Sequence, residues 1–351
     1  MKKLLFLLTI AVLAMSCGNS TSQREGKGVQ LVAAGATFPM PFYNLAFKKY
    51  GELTGSSVTY GGIGSGGGIR SLQDRVVDFG ASDAYLSDEE MAEMGADVIH
   101  IPTCIGAVVI AYNLPGIDEL KLTPGLMEGI FMGKITKWND VAITEVNEGV
   151  SLPDRKITVV YRSDGSGTTF IFSDYMSKVS NEWANGIGRG KSLNWPVGIG
   201  AKGNPGVAGT ISQSEGTIGY IGSEYAFAQK ITFAALQNSS GKFIRPSLES
   251  VSAAASGDIP PDTRVMITNS DSPDAYPISG FTWLLLFKEQ AYNNRTFDQA
   301  EATLSAIEWM LGPDAQAIAS SVNYASLPER AVERAAELLS TVTYEGNTMK
   351  K

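Results

Sequence analysis

The chain has 351 residues, 44% of them hydrophobic and 18% charged, with a formal charge of −8. That length is enough for two domains around a sizeable core. The acidic balance argues against nucleic acid or an anionic membrane surface as a partner, so any anionic ligand must be held by local dipoles.

The chain opens with Lys2-Lys3, an apolar run from Leu4 to Leu13, and Ala14-Met15-Ser16-Cys17. This is the pattern of an export signal, too short to span a bilayer as a stable helix. The Ser16-Cys17 junction resembles a bacterial lipoprotein cleavage site. Residues 1–16 are therefore expected to be a lipoprotein signal peptide and Cys17 to carry a lipid. A plain secretory signal with an incidental cysteine is the alternative. Without residues 1–16 the chain keeps 26 basic against 36 acidic side chains, a charge of −10. Residues 17–28 are polar and suit a flexible tether. Cys104 is then the one cysteine left besides Cys17, which leaves no intrachain disulfide. Its setting, Pro102-Thr103-Cys104-Ile105-Gly106, reads as buried core.

Further along, Val29–Ala33 predicts a strand, and Gly35-Ala36-Thr37-Phe38-Pro39 turns into a helix with Tyr43, Ala46, Phe47 and Tyr50 on one face. Ser57–Tyr60 is a second strand. It leads through Gly61–Gly68 into a short helical stretch with Ile69 and Leu72. Val76–Asp83 is a strand with a polar tip, and Ile105–Tyr112 a long, central one. Leu126–Met132 reads as helix. Ile157–Tyr161 is a strand, followed by Arg162-Ser163-Asp164-Gly165-Ser166-Gly167-Thr168 and a helix through Tyr175-Met176. Residues 186–218 read as glycine-rich and irregular, with a strand near Ile218–Ile221. Val265–Thr268 and Phe281–Phe287 predict strands, and helices follow over 297–311, 315–322 and 330–339. Strands alternating with helices imply an α/β fold with largely parallel sheets.

Three turns share one chemistry: Gly35–Phe38, Gly64–Gly67 and Gly165–Thr168. Each follows a strand, opens a helix and offers hydroxyls with free amides. The first turn of a helix presents unpaired N–H groups and partial positive charge, an anion seat. Ligands in open α/β sheets lie beyond the carboxyl ends of strands. Arg162 adds a fork of donors that Asp164 is placed to hold.

Other readings fit less well. Residues 62–67 formally match the dinucleotide fingerprint, with Asp83 at nearly the right distance, but an exported lipoprotein has no evident supply of such a cofactor. Gly186–Ser192 fails the P-loop spacing, because position 185 is Asn. Neither Ser65 nor Ser166 sits in G-x-S-x-G, and the single histidine, His100, reads as structural, which disfavours a hydrolytic triad. One histidine and one free cysteine leave a metal site to carboxylates alone, and no tight carboxylate cluster appears. No cofactor is implied.

Binding without chemistry fits best, and here a family resemblance enters. The stretches GATFP (35–39), YGGIGSGGG (60–68), VDFGASDAYLSD (77–88), RSDGSGTTFIF (162–172) and NWPVGIGAKGNPGV (194–207) resemble the periplasmic phosphate-binding proteins of the bacterial high-affinity phosphate ABC transporter. Similarity is weaker through DAYPISGFTWLLLF (274–287). The resemblance implies a two-lobed periplasmic-binding-protein fold of type II, with the ligand in the cleft between lobes. One lobe would comprise residues 29–104 and 270–351 and the other residues 105–269, with crossings near 103–106 and 268–274. It implies that one phosphate ion contacts Thr37, Phe38, Ser65, Asp83, Arg162, Ser166, Gly167 and Thr168, with Asp164 in support. Phe38 and Gly167 would give backbone N–H, and the hydroxyl residues both amide and hydroxyl donors. Where family members often have a second serine after Ser65, this chain has Gly66. The resemblance further implies no enzymatic turnover and delivery of the ion to permease and ATP-binding subunits of an ABC transporter. An exported phosphatase or other hydrolase of phosphate esters is the alternative.

Within that frame Asp83 is the informative residue. A carboxylate facing an anion makes sense when the anion has a proton to donate. Phosphate near neutral pH has one and sulfate has none, so Asp83 would select between them.

Overall fold

A computed structural model describes residues 28–349. The expected signal peptide, Cys17 and the tether up to residue 27 lie outside the described residues. An eight-stranded sheet organises the molecule. Its order is Ser57–Gly62, Gln30–Gly35, Phe79–Ser82, Ser279–Phe287, Val98–Tyr112, Thr217–Gly222, Thr158–Arg162 and Ile199–Ala201.

The 15-residue strand Val98–Tyr112 joins the two halves of this sheet. It pairs with Ser279–Phe287 up to Ala107, and with Thr217–Gly222 from Val108 onward. All 15 of its residues are buried, because both faces of the sheet are covered and no polar side is needed. From sequence the strand begins only at Ile105, since Pro102 interrupts the pattern. The structure absorbs Pro102 with a bulge: the register skips Thr103 between Cys104↔Thr282 and Pro102↔Trp283. Thr103 turns its hydroxyl to Tyr43 (2.7 Å), so the irregularity is packed rather than left open.

Within this sheet, parallel pairing is confined to the two outer groups of strands. The three central pairings, around Val98–Tyr112 and Ser279–Phe287, are antiparallel. The expectation of largely parallel sheets is corrected accordingly. Two further expectations change. Val265–Thr268 is not a strand, and segment 186–218 is not irregular throughout, since it holds the strand Ile199–Ala201 and the helix Gly203–Gln213. Glycines and Pro205 hide that helix from a propensity reading.

In each outer group the strands run the same way and end level with one another. Gly35 pairs with Gly62 and with Ala81, and Arg162 pairs with Ala201. The loops that follow are therefore gathered at two sheet ends, which sets the position of the site. Aromatic packing stiffens both ends. Phe42, Tyr43 and Phe47 from the helix Met40–Thr54 pack beneath the first group, and Phe131, Phe172, Trp195 and Tyr220 pack beneath the second.

Candidate functional site: a cage of donors around one carboxylate

The two sets of loops meet. Gly66 N–H donates to the Gly165 carbonyl at 2.9 Å, so the glycine corners of the two sheet halves touch backbone to backbone. The glycines are required there: a Cβ on Gly64 (φ 85°) would lie 2.4 Å from Asp164 Oδ2, and one on Gly167 would lie 2.4 Å from Ser65 Oγ. Because Asp164 and Gly165 fill the space over Gly64, this corner offers no seat for a dinucleotide.

The direction of each hydroxyl follows from its partners. Ser65 Oγ accepts from Gly167 N–H (3.0 Å) and Asp83 N–H (3.2 Å). Thr37 Oγ1 accepts from both the backbone and the side-chain nitrogens of Asn204, each at 3.1 Å. Thr168 Oγ1 accepts from Asn204 Nδ2 (3.0 Å) and from an Arg162 terminal nitrogen (3.3 Å). A hydroxyl has two lone pairs and one proton. With both lone pairs engaged, each of the three has only its proton left to offer.

Arg162 is clamped by Asp164, from Nε to Oδ1 (2.8 Å) and from a terminal nitrogen to Oδ2 (2.7 Å). Its side chain is 1% exposed. Three of its N–H groups are spent on Asp164 and Thr168, which leaves one on each terminal nitrogen. Burial pushes the Asp164 carboxyl up, but the hydrogen bonds and charge of Arg162 and the Gly203 amide outweigh it and hold the net value below the usual range. Ser166 caps the helix Gly167–Val179, with its Oγ accepting from Thr169 N–H at 3.0 Å.

Asp83 is the acceptor of this assembly. It is 1% exposed, and Thr282 donates to its Oδ1 at 2.8 Å. Burial pushes its carboxyl up to about 7, against the lowering effects of the Thr282 hydrogen bond and the Arg162 charge. The arrangement is thus several donors, one fixed cation and one proton-sensitive acceptor, suited to a small oxyanion that itself carries a proton.

Comparison with known proteins agrees with this geometry. The model of the PBP superfamily domain matches residues 21–314. The phosphate-binding protein PstS of Xylella fastidiosa is 41% identical over 325 residues, 90% of this chain and 87% of that protein. The PstS of Haemophilus influenzae is 37% identical over 100% of this chain and 99% of its own. The chain belongs to the PstS family of phosphate-binding proteins. Among solved structures, a high-affinity periplasmic phosphate-binding protein bound with phosphate matches at a TM-score of 0.72, with 22% identity over 92% of this chain and 96% of that one. A putative phosphate ABC transporter substrate-binding protein from Clostridium perfringens matches at 0.63, with 18% identity over 85% and 100%. The fold is the two-lobed one of these binding proteins, as expected from the sequence.

Of the anticipated contact residues, Thr37, Ser65, Asp83, Arg162, Gly167 and Thr168, together with Asp164, are joined in this one cluster, and Phe38 and Ser166 are their chain neighbours. One detail differs from expectation: the Gly167 amide, anticipated as an anion donor, is spent on Ser65 Oγ. Sequence reasoning assigned no role to Asn204, which joins Thr37 to Thr168 and is itself oriented by Gly222 N–H on its Oδ1 (3.0 Å). The signal was present, since Ala201-Lys202-Gly203-Asn204 repeats the strand–turn–helix grammar of the other corners. Thr282, a hydroxyl within the apolar run Phe281–Phe287, is equally legible and has no role in the sequence reading. The glycine-rich segment also contributes Lys191, whose carbonyl accepts from Ser166 N–H and whose ammonium pairs with Glu90. Cys104 is a buried thiol, as expected. His100 accepts from Leu86 N–H, and burial first of all pushes it down to about 3, so it stays neutral and tied to the backbone. One mostly apolar surface hollow, lined by Ile130, Ile135 and Val197, lies away from this cluster.

Proposed function

We infer that this protein binds inorganic phosphate outside the cytoplasmic membrane and delivers it to an ABC importer, without turnover. The observation that carries the reading is the composition of the cage: Thr37, Ser65 and Thr168 reduced to pure donors, Arg162 held in a bidentate clamp, and Asp83 as the acceptor for a proton on the anion. Phosphate contacts are assigned to Thr37, Phe38, Ser65, Asp83, Arg162, Ser166 and Thr168, with Asp164 holding Arg162 and Gly167, whose N–H is spent on Ser65 Oγ, directing the Ser65 hydroxyl. Residues 29–104 with 270–351 form one lobe and residues 105–269 the other. Closure of the two on the ion is the signal that the permease and ATP-binding subunits read. Residues 1–16 act as a lipoprotein signal peptide and residues 17–28 as a tether, with lipid on Cys17 anchoring the chain to a membrane.

A hydrolase reading has no support in the PstS relatives, and the neutral, backbone-bound His100 offers no general base to Ser65 or Ser166. The test is calorimetric titration at neutral pH. One phosphate per chain is expected, with sulfate bound weaker by orders of magnitude. Equal affinity for the two ions would overturn the reading.

A further inference from the structure

Three phenols converge on three consecutive carbonyls of one site loop. Tyr60 donates to Ala36 O at 2.6 Å, Tyr225 to Thr37 O at 2.5 Å and Tyr324 to Phe38 O at 2.5 Å. They arrive from separate places in the chain. Tyr60 lies on the strand Ser57–Gly62 and Tyr225 on the helix Ser223–Gln229, which follows the strand Thr217–Gly222 in the opposite sheet half. Tyr324 sits just beyond the helix Pro313–Ser321. Each ring is also held by packing or burial. Tyr60 stands edge-on to Tyr43 at 5.1 Å, Tyr324 edge-on to Phe38 at 6.2 Å, and Tyr225 is 7% exposed. Burial, above all, raises all three phenols, so they remain protonated donors throughout the neutral range.

The bonding has a chemical consequence. A carbonyl that accepts a strong hydrogen bond draws charge through its peptide unit and makes the N–H on the far side a better donor. The Ala36 carbonyl shares its peptide with the Thr37 N–H, and the Thr37 carbonyl with the Phe38 N–H. Among the described residues no acceptor takes either amide. The Phe38 carbonyl shares its peptide with Pro39, which has no N–H, so Tyr324 can only orient the loop.

We propose that Tyr60 and Tyr225 are positioning residues that polarise the Thr37 and Phe38 amides toward the bound anion, while Tyr324 fixes the exit of the loop. Tyr225 adds a second effect. Its bond links the two sheet halves, so it also ties the site loop to the opposing half. The proposal rests on the phosphate-binding reading for its ligand.

The test combines titration with inorganic phosphate and amide NMR of the ligand-free protein, for the parent, Tyr60→Phe, Tyr225→Phe and the control Tyr344→Phe. The control removes a phenol that donates to the Arg295 carbonyl at 2.9 Å. Phosphate Kd is expected to rise about three- to tenfold in Tyr225→Phe, and by about twofold or more in Tyr60→Phe, consistent with loss of one hydrogen bond each. The Thr37 nitrogen should move upfield in Tyr60→Phe and the Phe38 nitrogen in Tyr225→Phe, with neither moving in Tyr344→Phe. If the parent binds phosphate and both variants match the control in Kd and amide shifts, the proposal is overturned and the phosphate reading stands. If the parent does not bind phosphate, the phosphate reading falls, and the ligand-free shifts still decide whether the phenols polarise the two amides. Should Tyr225→Phe not fold, Tyr60→Phe decides alone.

Discussion

Thr282 donates its hydroxyl to Asp83 Oδ1 at 2.8 Å, while Asp83 Oδ2 lies beside Gly167, 2.6 Å from where a Cβ on that glycine would stand. One oxygen of the carboxylate is thus tied to the strand Ser279–Phe287 and the other faces the opposing corner. A carboxylate pinned in this way cannot turn aside from an anion seated between the corners, and it accepts the anion only if a proton lies between them.

Selectivity should therefore depend on pH. Asp83 titrates near 7, so below that it carries a proton of its own and can donate to sulfate. Sulfate affinity is expected to rise as pH falls from 8 to 6, by roughly tenfold for one buried mismatch relieved. Asp83→Asn can donate at any pH, so its sulfate binding should be flat across this range and its phosphate-over-sulfate ratio smaller. Isothermal titration at three pH values decides it. A pH-independent ratio in the parent would rule out Asp83 as the discriminator.

Arg162→Ala removes the cation and leaves Asp164, whose side chain is 12% exposed, without its clamp partner. Phosphate binding should weaken by about 2–5 kcal/mol, the range for truncating one side of a buried charge pair. Arg162→Lys should recover part of this, because a point charge replaces a two-pronged fork. Wild-type affinity in the alanine variant would place Arg162 outside the site.

Gly167→Ala separates folding from closure. Position 167 opens a helix, where alanine is intrinsically favoured, yet the new methyl would collide with Ser65 Oγ and Asp83 across the interface. Thermal stability without ligand should hold within about 1 kcal/mol, while phosphate affinity falls by orders of magnitude. Small-angle scattering would then show no compaction on adding phosphate. Compaction equal to that of the parent would contradict the collision.

Glu224 supplies a stability test. It is buried with Oε1 unpartnered, in a pocket shared with Asp83, Tyr225, Tyr324 and Cys104, and burial pushes its carboxyl up to about 8. The folded state thus holds a proton that the unfolded chain releases near pH 4.5. Between those values the unfolded state binds fewer protons, so the parent loses stability as pH rises from about 4.5 to about 8 and levels off above. Glu224→Gln carries no such proton. Its advantage over the parent should be small at pH 4.5 and grow to a few kcal/mol by pH 8. Urea midpoints at both pH values measure it, and a gap that stays constant with pH would assign the effect to packing instead.

The sequence by itself determined the local grammar. Three strand–glycine–helix corners, one arginine with an acid two residues on, and one aspartate at a strand tip name the chemistry, because the conformational needs of a tight turn and the donor types of an anion seat are written in consecutive residues. It also placed most strands and the C-terminal helices through their apolar spacing. What only the tertiary structure decided was everything that depends on residues far apart in the chain. Asn204 touches Thr37 across 167 positions and Thr282 reaches Asp83 across 199. Tyr225 and Tyr324 find carbonyls 188 and 286 residues away. No periodicity encodes such contacts. They arise because the parallel strands of each sheet half end level, and because the bulged strand Val98–Tyr112 carries the two sets of loop ends into contact.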